Sequence, residues 1–186
     1  MKKITVKNIL RVFMLAVSML FLASCATTHE AYKRTSVGEV MLKKIPKLKA
    51  YSTSSEESYF RVQDDLFKRL HKYQQYNDLT MSIPVVVQNK PATMMFYVLK
   101  DDLDRDLKGM NGVKIVETRE MLVLSAGVRG AYREETYAKG KKMIQDWLKE
   151  NPDYKAVGDY FYTCWNSPCW CPYWQKSEVN LEVKRR

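Results

Sequence analysis

Glu56-Glu57-Ser58-Tyr59-Phe60-Arg61-Val62-Gln63-Asp64-Asp65-Leu66-Phe67-Lys68-Arg69-Leu70-His71-Lys72-Tyr73 is the stretch that decides the fold. Tyr59, Val62, Leu66, Leu70 and Tyr73 recur at three- and four-residue steps, which lines them along one face of an α-helix. Ser54 and Glu57 have the spacing of a capping box at its start. A second stretch, Glu134-Glu135-Thr136-Tyr137, aligns without a gap onto Glu56-Glu57-Ser58-Tyr59. Tyr137, Gly140, Ile144 and Leu148 then repeat the step, Ile144 falling on Leu66 and Leu148 on Leu70, until Asn151-Pro152 stops the helix.

Short strand-like runs surround each helix. Glu39–Lys43 and Leu48–Ser52 precede the first; Thr80–Gln88 and Thr93–Lys100 follow it, joined by the turn Asn89-Lys90-Pro91. Val113–Thr118 and Met121–Val128 precede the second, and Tyr154–Thr163 and Glu178–Lys184 follow. Strands separated by tight turns pair antiparallel. Two strand–helix–strand–strand units, neither able to bury its own sheet face, are expected to pack about a pseudo-twofold axis. The fold expected is α+β: a curved, twisted antiparallel β-barrel of two βαββ repeats with two long helices outside. Asp101–Gly112, polar and acidic, is the expected link between the halves.

Composition agrees with one globular domain. With 46% hydrophobic and 28% charged residues and only 7 Gly and 6 Pro, the chain is neither collagen-like nor wholly disordered. Its 186 residues suit one domain plus an appendage at about 150 residues per domain. The formal charge is +10, but Lys2, Lys3, Lys7 and Arg11, unopposed by any acid in residues 1–24, supply part of it. What is left is too thin, and too far from any motif, for nucleic-acid binding.

The appendage reads as an export signal. A basic segment ends at Arg11, and the apolar run Val12–Ala23 is too short to span a bilayer at about 20 residues. Leu22-Ala23-Ser24-Cys25 resembles the lipobox of bacterial lipoproteins, in which the Cys is joined to diacylglycerol and becomes the new N-terminus. The expected organisation is a signal peptide over 1–24, a lipid-anchored polar tether over 25–36 and a globular domain over 37–186. Ala26 after the Cys resembles sorting to the outer membrane, so a periplasmic-facing, lipid-anchored envelope protein is expected in a bacterium with two membranes.

Several chemistries find no support. No phosphate-binding loop, dinucleotide fingerprint, G-x-S-x-G elbow or H-E-x-x-H motif occurs. The chain holds 2 His, His29 in the expected tether and His71 near the end of the first helix; a Ser-His-Asp site would have to use His71, and no serine stands in a nucleophile-elbow context. No catalytic residue is assigned.

Three segments carry a family resemblance. Leu79-Thr80-Met81-Ser82-Ile83-Pro84-Val85 resembles the I-x-M-T-x-P-V segment of the SOUL haem-binding proteins. Val113–Arg119 followed by Leu122–Val128 and Gly130 resembles their second-half strand pair. Trp165-Asn166-Ser167-Pro168 through Lys176-Ser177-Glu178-Val179 resembles their aromatic-Asp/Asn-x-Pro segment and the basic-Asn-Glu-Val strand after it. Together these span about residues 38–184. Ser82 and Ser177 depart from the usual Thr and Asn, and Cys164, Cys169 and Cys171 stand where the family tends toward Pro and Trp. The resemblance implies a twisted barrel of two repeats and reversible, non-covalent binding of haem or a related tetrapyrrole. An alternative is a structural or interaction lipoprotein that keeps the fold without a haem site.

A haem site needs apolar carbon for the ring and cations for two propionates. Arg61, Lys68 and Lys72 form one stripe on the first helix, and Phe60 and Phe67 can cover a ring face; a solvated helix face is the competing reading. The resemblance favours Lys72 and Lys176 as propionate partners. His71, the imidazole of the expected domain, is the first candidate iron ligand. The run Cys164-Trp165-Asn166-Ser167-Pro168-Cys169-Trp170-Cys171 lacks a usual zinc spacing. In an oxidising envelope a Cys164–Cys169 disulfide is its default reading, with Cys171-Pro172 as an alternative thiolate ligand to haem iron and an unmodified loop as the third.

Overall fold

The computed structural model describes residues 29–167 and 171–186. The segment expected as a signal peptide, Cys25 and Cys169 lie outside the described residues. The strands are β1 (His29–Glu30), β2 (Val40–Ile45), β3 (Lys49–Ser55), β4 (Ser82–Ile83), β5 (Val85–Gln88), β6 (Ala92–Tyr97), β7 (Lys114–Glu117), β8 (Met121–Arg129), β9 (Tyr154–Cys164) and β10 (Lys176–Arg185). The helices are α1 (Tyr59–Tyr76), between β3 and β4, and α2 (Glu134–Glu150), between β8 and β9. Eight strands form one antiparallel sheet in the order β2-β8-β10-β9-β5-β6-β3-β7. β1 and β4 form a separate parallel pair. Among the described residues no ladder joins β2 to β7, so the hydrogen bonding is that of an open sheet rather than the closed barrel expected. None of the described helices is long and apolar enough to cross a membrane.

Both helices lie on one face of the sheet because their apolar stripes match its alternation. Tyr59, Leu66, Leu70 and Tyr73 of α1 and Tyr137 and Ile144 of α2 share a core with Tyr51, Val87, Phe96, Leu124, Tyr162, Val179 and Leu181. In β10 the helix side takes Val179, Leu181 and Val183, and the period of two sends Glu178, Asn180 and Glu182 to the other side.

Two local expectations change. Ser54 and Ser55 belong to β3, so no capping box forms, and α1 starts at Tyr59. Its cap comes from the β5–β6 turn: Asn89 Oδ1 accepts from Ser58 Oγ at 2.8 Å and from Tyr59 N–H at 3.2 Å. The run Thr80–Gln88 splits into β4 and β5 at Pro84, which has no N–H to give a ladder. The linker is also more than a polar spacer. Asp102 is buried in it, accepting from Thr80 N–H at 2.9 Å and pairing with Arg105 Nε at 2.9 Å.

Gly140 sets how closely α2 approaches the sheet. A Cβ there would stand 2.4 Å from Val179 Cγ2 and 2.8 Å from Val179 Cβ. Alanine at this position is therefore a test of packing against propensity. It favours a helix by about 1 kcal/mol over glycine, but overpacking costs about 1–3 kcal/mol. Gly140→Ala should lower the urea midpoint at unchanged slope. A midpoint equal to or above the wild type would show that α2 can lift away freely.

Cys164 closes β9 on the helix side of the sheet, as a free thiol buried in the core. Burial pushes its pKa up from the ordinary 9.0, and a hydrogen bond with Tyr59 offsets this in part. Burial likewise pushes Tyr97 and Tyr137 up to about 12. These are acids held neutral by folding, so their contribution is complete below the unfolded thiol value and is lost as pH rises through the folded values. Stability should fall from about pH 9 upward, with a shallower fall in Cys164→Ala. In native protein at about pH 8 Cys164 should resist a thiol reagent that labels it after unfolding. Labelling at equal rates in both states would contradict its burial.

Candidate functional site

The sequence-selected residues divide between two parts of the fold. Arg61, Phe67, Lys68, His71 and Lys72 all lie on α1, which packs over β3 and β6. Phe67 is half-buried on Phe96, and its ring stacks on that of His71 with centroids 5.8 Å apart and planes 11° from parallel. Arg61, Lys68, His71 and Lys72 are exposed, and Lys68 lies 4.0 Å from Asp65 in an exposed pair. Lys176 opens β10, between β8 and β9, and β9 and β5 intervene between that strand and the strands under α1. Lys72 and Lys176 thus stand on elements set apart in the strand order.

The cysteines separate too. The Cys164 side chain is a free thiol that faces the core beneath α1, and its expected disulfide partner, Cys169, lies outside the described residues. Cys171 is a free, exposed thiol at the start of a short 3₁₀ turn, Pro172–Trp174. Tyr173 and Trp174 beside it are 83% and 59% exposed. The aromatics along this stretch divide: Phe161, Tyr162 and Trp165 are buried while Tyr173 and Trp174 stay exposed.

The sheet face opposite the helices holds what the sequence reading missed. Residues 31–36, expected as tether, run across this face instead. Ala31 N–H donates to Ile83 O at 2.8 Å, extending the β1–β4 pairing. Tyr32 stands edge-on to both Tyr97 and Trp165, with centroids 5.9 and 5.7 Å away. Under this strap Glu178 is 0% exposed. Its carboxylate accepts from Lys43 Nζ at 2.9 Å on each oxygen, from Thr163 Oγ1 at 3.2 Å and from Thr35 N–H. Asn180 Nδ2 donates in turn to Thr163 Oγ1 at 3.2 Å.

Gly127 makes this contact possible. It sits opposite Glu178 in the β8–β10 register, and a Cβ there would lie 2.1 Å from the Ser36 carbonyl oxygen. Burial pulls the Lys43 ammonium below its ordinary 10.5, and the Glu178 charge pulls it back up. The Glu178 carboxylate is fully engaged, whereas Thr35 Oγ1, Trp165 Nε1 and Asn180 Oδ1 around it are buried with no hydrogen-bond partner among the described residues.

Beside the strap lies an open groove of about 470 Å³. β1 contributes His29 and Glu30, the β2–β3 turn Lys47 and Leu48, and the segment after β6 Val98, Leu99, Lys100 and Leu103. Lys47 pairs with Glu117 at 2.6 Å, while Lys100 has no ion-pair partner among the described residues. A volume in the 300–1,000 Å³ range of small-molecule pockets, apolar walls and a few cations can receive a flat apolar ligand bearing carboxylates. Among the described residues no three His, Cys, Asp or Glu side chains come together to hold a bare metal ion.

The fold recurs in proteins of different description. The crystal structure of the EcmrR C-terminal domain superposes with a TM-score of 0.64 at 12% identity, covering 80% of this chain and 98% of that one. EcmrR in its DNA complex gives 0.65 at 13% identity, over 97% of this chain and 69% of that one. A hydrolase from Listeria innocua gives 0.55 at 9% identity, over 85% and 100%. At such identities the likeness is one of fold. No curated protein sequence matches this chain significantly. Residues 28–182 match the family described as SOUL heme-binding protein, a span that takes in the strap, both helices and nearly the whole sheet. The chain belongs to the SOUL heme-binding protein family.

Proposed function

We propose that this is a lipid-anchored protein of the cell envelope that binds haem or a related tetrapyrrole reversibly, as a carrier or sensor of the ligand rather than an enzyme acting on it. The observation that carries the reading is membership of a heme-binding family over residues 28–182. Two surfaces offer cations beside apolar carbon. One is the α1 stripe of Arg61, Lys68 and Lys72 around Phe67 and His71. The other is the groove beside β1. Either suits non-covalent binding, in which lysine or arginine holds a propionate and the ring leaves water against aliphatic and aromatic carbon. Nucleic acid is not part of this proposal.

The pseudo-twofold origin of the domain belongs to the same reading. Each helix follows a strand (β3, β8) and leads into two more (β5 and β6, β9 and β10), and the units meet where β5 pairs β9. Lipidation at Cys25 follows from Leu22-Ala23-Ser24-Cys25. It would set the outer membrane's periplasmic face as the site of action in a two-membrane bacterium. The second reading, an interaction lipoprotein without haem, draws on the exposed Tyr173 and Trp174; such neighbouring aromatics suit a partner surface.

Titration of the purified protein with hemin should give a saturable Soret shift. Purely linear, unsaturable absorbance would leave the interaction reading in its place. Cys25→Ser should abolish labelling by a fatty-acid probe and release the protein from membranes. Persistent labelling in that variant would remove the anchor assignment.

A further inference from the structure

We propose that the groove beside β1 is the tetrapyrrole site and that His29, rather than His71, is the imidazole that meets the iron. This rests on the haem reading above and names the place and the ligand.

The chain contains two imidazoles, so the choice is binary for a histidine-ligated ring. His71 sits on the exposed surface of α1 with its ring flat against Phe67, a position in which a macrocycle would have to displace that stack. His29 lines a groove together with the apolar side chains of Leu48, Val98, Leu99 and Leu103. The pairing of β1 with β4, His29 to Ser82 and Glu30 to Ile83, fixes the backbone from which the imidazole extends. Lys100, without an ion-pair partner among the described residues, opens the 3₁₀ turn Lys100–Asp102 on the same wall and offers its ammonium to a propionate.

The ligand class follows from the donor set. One imidazole is too little for a bare ion, which needs several protein ligands. It suffices for an iron whose equatorial positions are already filled by a macrocycle. The rest of the lining contributes carbon and cations, which match a ring and its carboxylates better than a polar sugar. Glu30 and Asp101 also line the groove. They work against a fully anionic ligand, so an apolar ring carrying only a few carboxylates fits better than a polyphosphate. His29 also lies four residues from Cys25, and with the lipid anchor proposed above this would bring the groove close to the membrane in which hydrophobic porphyrins partition.

The test uses the full-length protein in detergent, with hemin and iron-free protoporphyrin as separate probes. His29→Ala should move the hemin Soret band and the ferric spin state, while leaving protoporphyrin affinity within about twofold, since that probe has no iron to ligate. His71→Ala should leave the hemin spectrum at its wild-type position. Lys100→Glu should weaken both probes by up to about fivefold, the range of an exposed charge contact. A spectrum unchanged in His29→Ala, or moved only in His71→Ala, overturns the groove assignment while haem binding itself stands. Loss of protoporphyrin binding in His29→Ala with an unchanged melting curve overturns the ligand role in favour of a purely packing one. If the wild type shows no saturable change with hemin, both this inference and the haem reading fall.

Discussion

A single carboxylate constrains much of this molecule. Glu178 is held out of water at the centre of an eight-stranded sheet. A buried charge survives only if paired and fully hydrogen-bonded. Its donors come from three separate pieces of chain: Lys43 on β2, Thr163 on β9 and the peptide N–H of Thr35 on the strap. Lys43 lies on β2, beyond β8, and Thr163 on β9, so the carboxylate on β10 is met from both sides of its strand. Leaving such a charge without a partner costs about 3–5 kcal/mol, a large share of the stability of a domain this size.

The strap follows from that requirement. Its peptide backbone approaches β8 because Gly127 carries no side chain at the crossing. Tyr32 fills the space between Tyr97 and Trp165 and keeps water from the ion pair, with Lys43 Nζ 5.2 Å from the Tyr32 ring centroid. Once the strap is seated, β1 is carried to the edge of β4, and the groove exists because of it. The helix-free face is thereby closed by the chain's own N-terminal segment, and the opening left to a ligand is at the side.

Similarity of fold to EcmrR and to a hydrolase shows how little the scaffold says about chemistry. In this chain the helix-free face carries a strap and a buried ion pair beside a groove lined by His29 and Lys100, and the functional reading is built on those features together with the family.

The helices and most strands were legible in the chain because their information is local. A stripe at Tyr59, Leu66, Leu70 and Tyr73 can be buried only as a helix lying on something, and Gly140 in the matching stripe proves to be where α2 meets Val179 closely. The alternation in β10 was also legible, but its meaning was not. Glu178 and Asn180 are buried because a distant segment lies over them. For the same reason residues 25–36 read as a tether, with His29 inside it. Asn89 as the cap of α1 and Cys164 as a core thiol likewise depend on partners 30 or more residues away in the chain. Local pattern determined the elements and the family to which they belong. Which polar groups meet, and therefore where a ligand can enter, was decided only when the chain closed on itself, because a buried charge takes its partners from wherever the fold brings them.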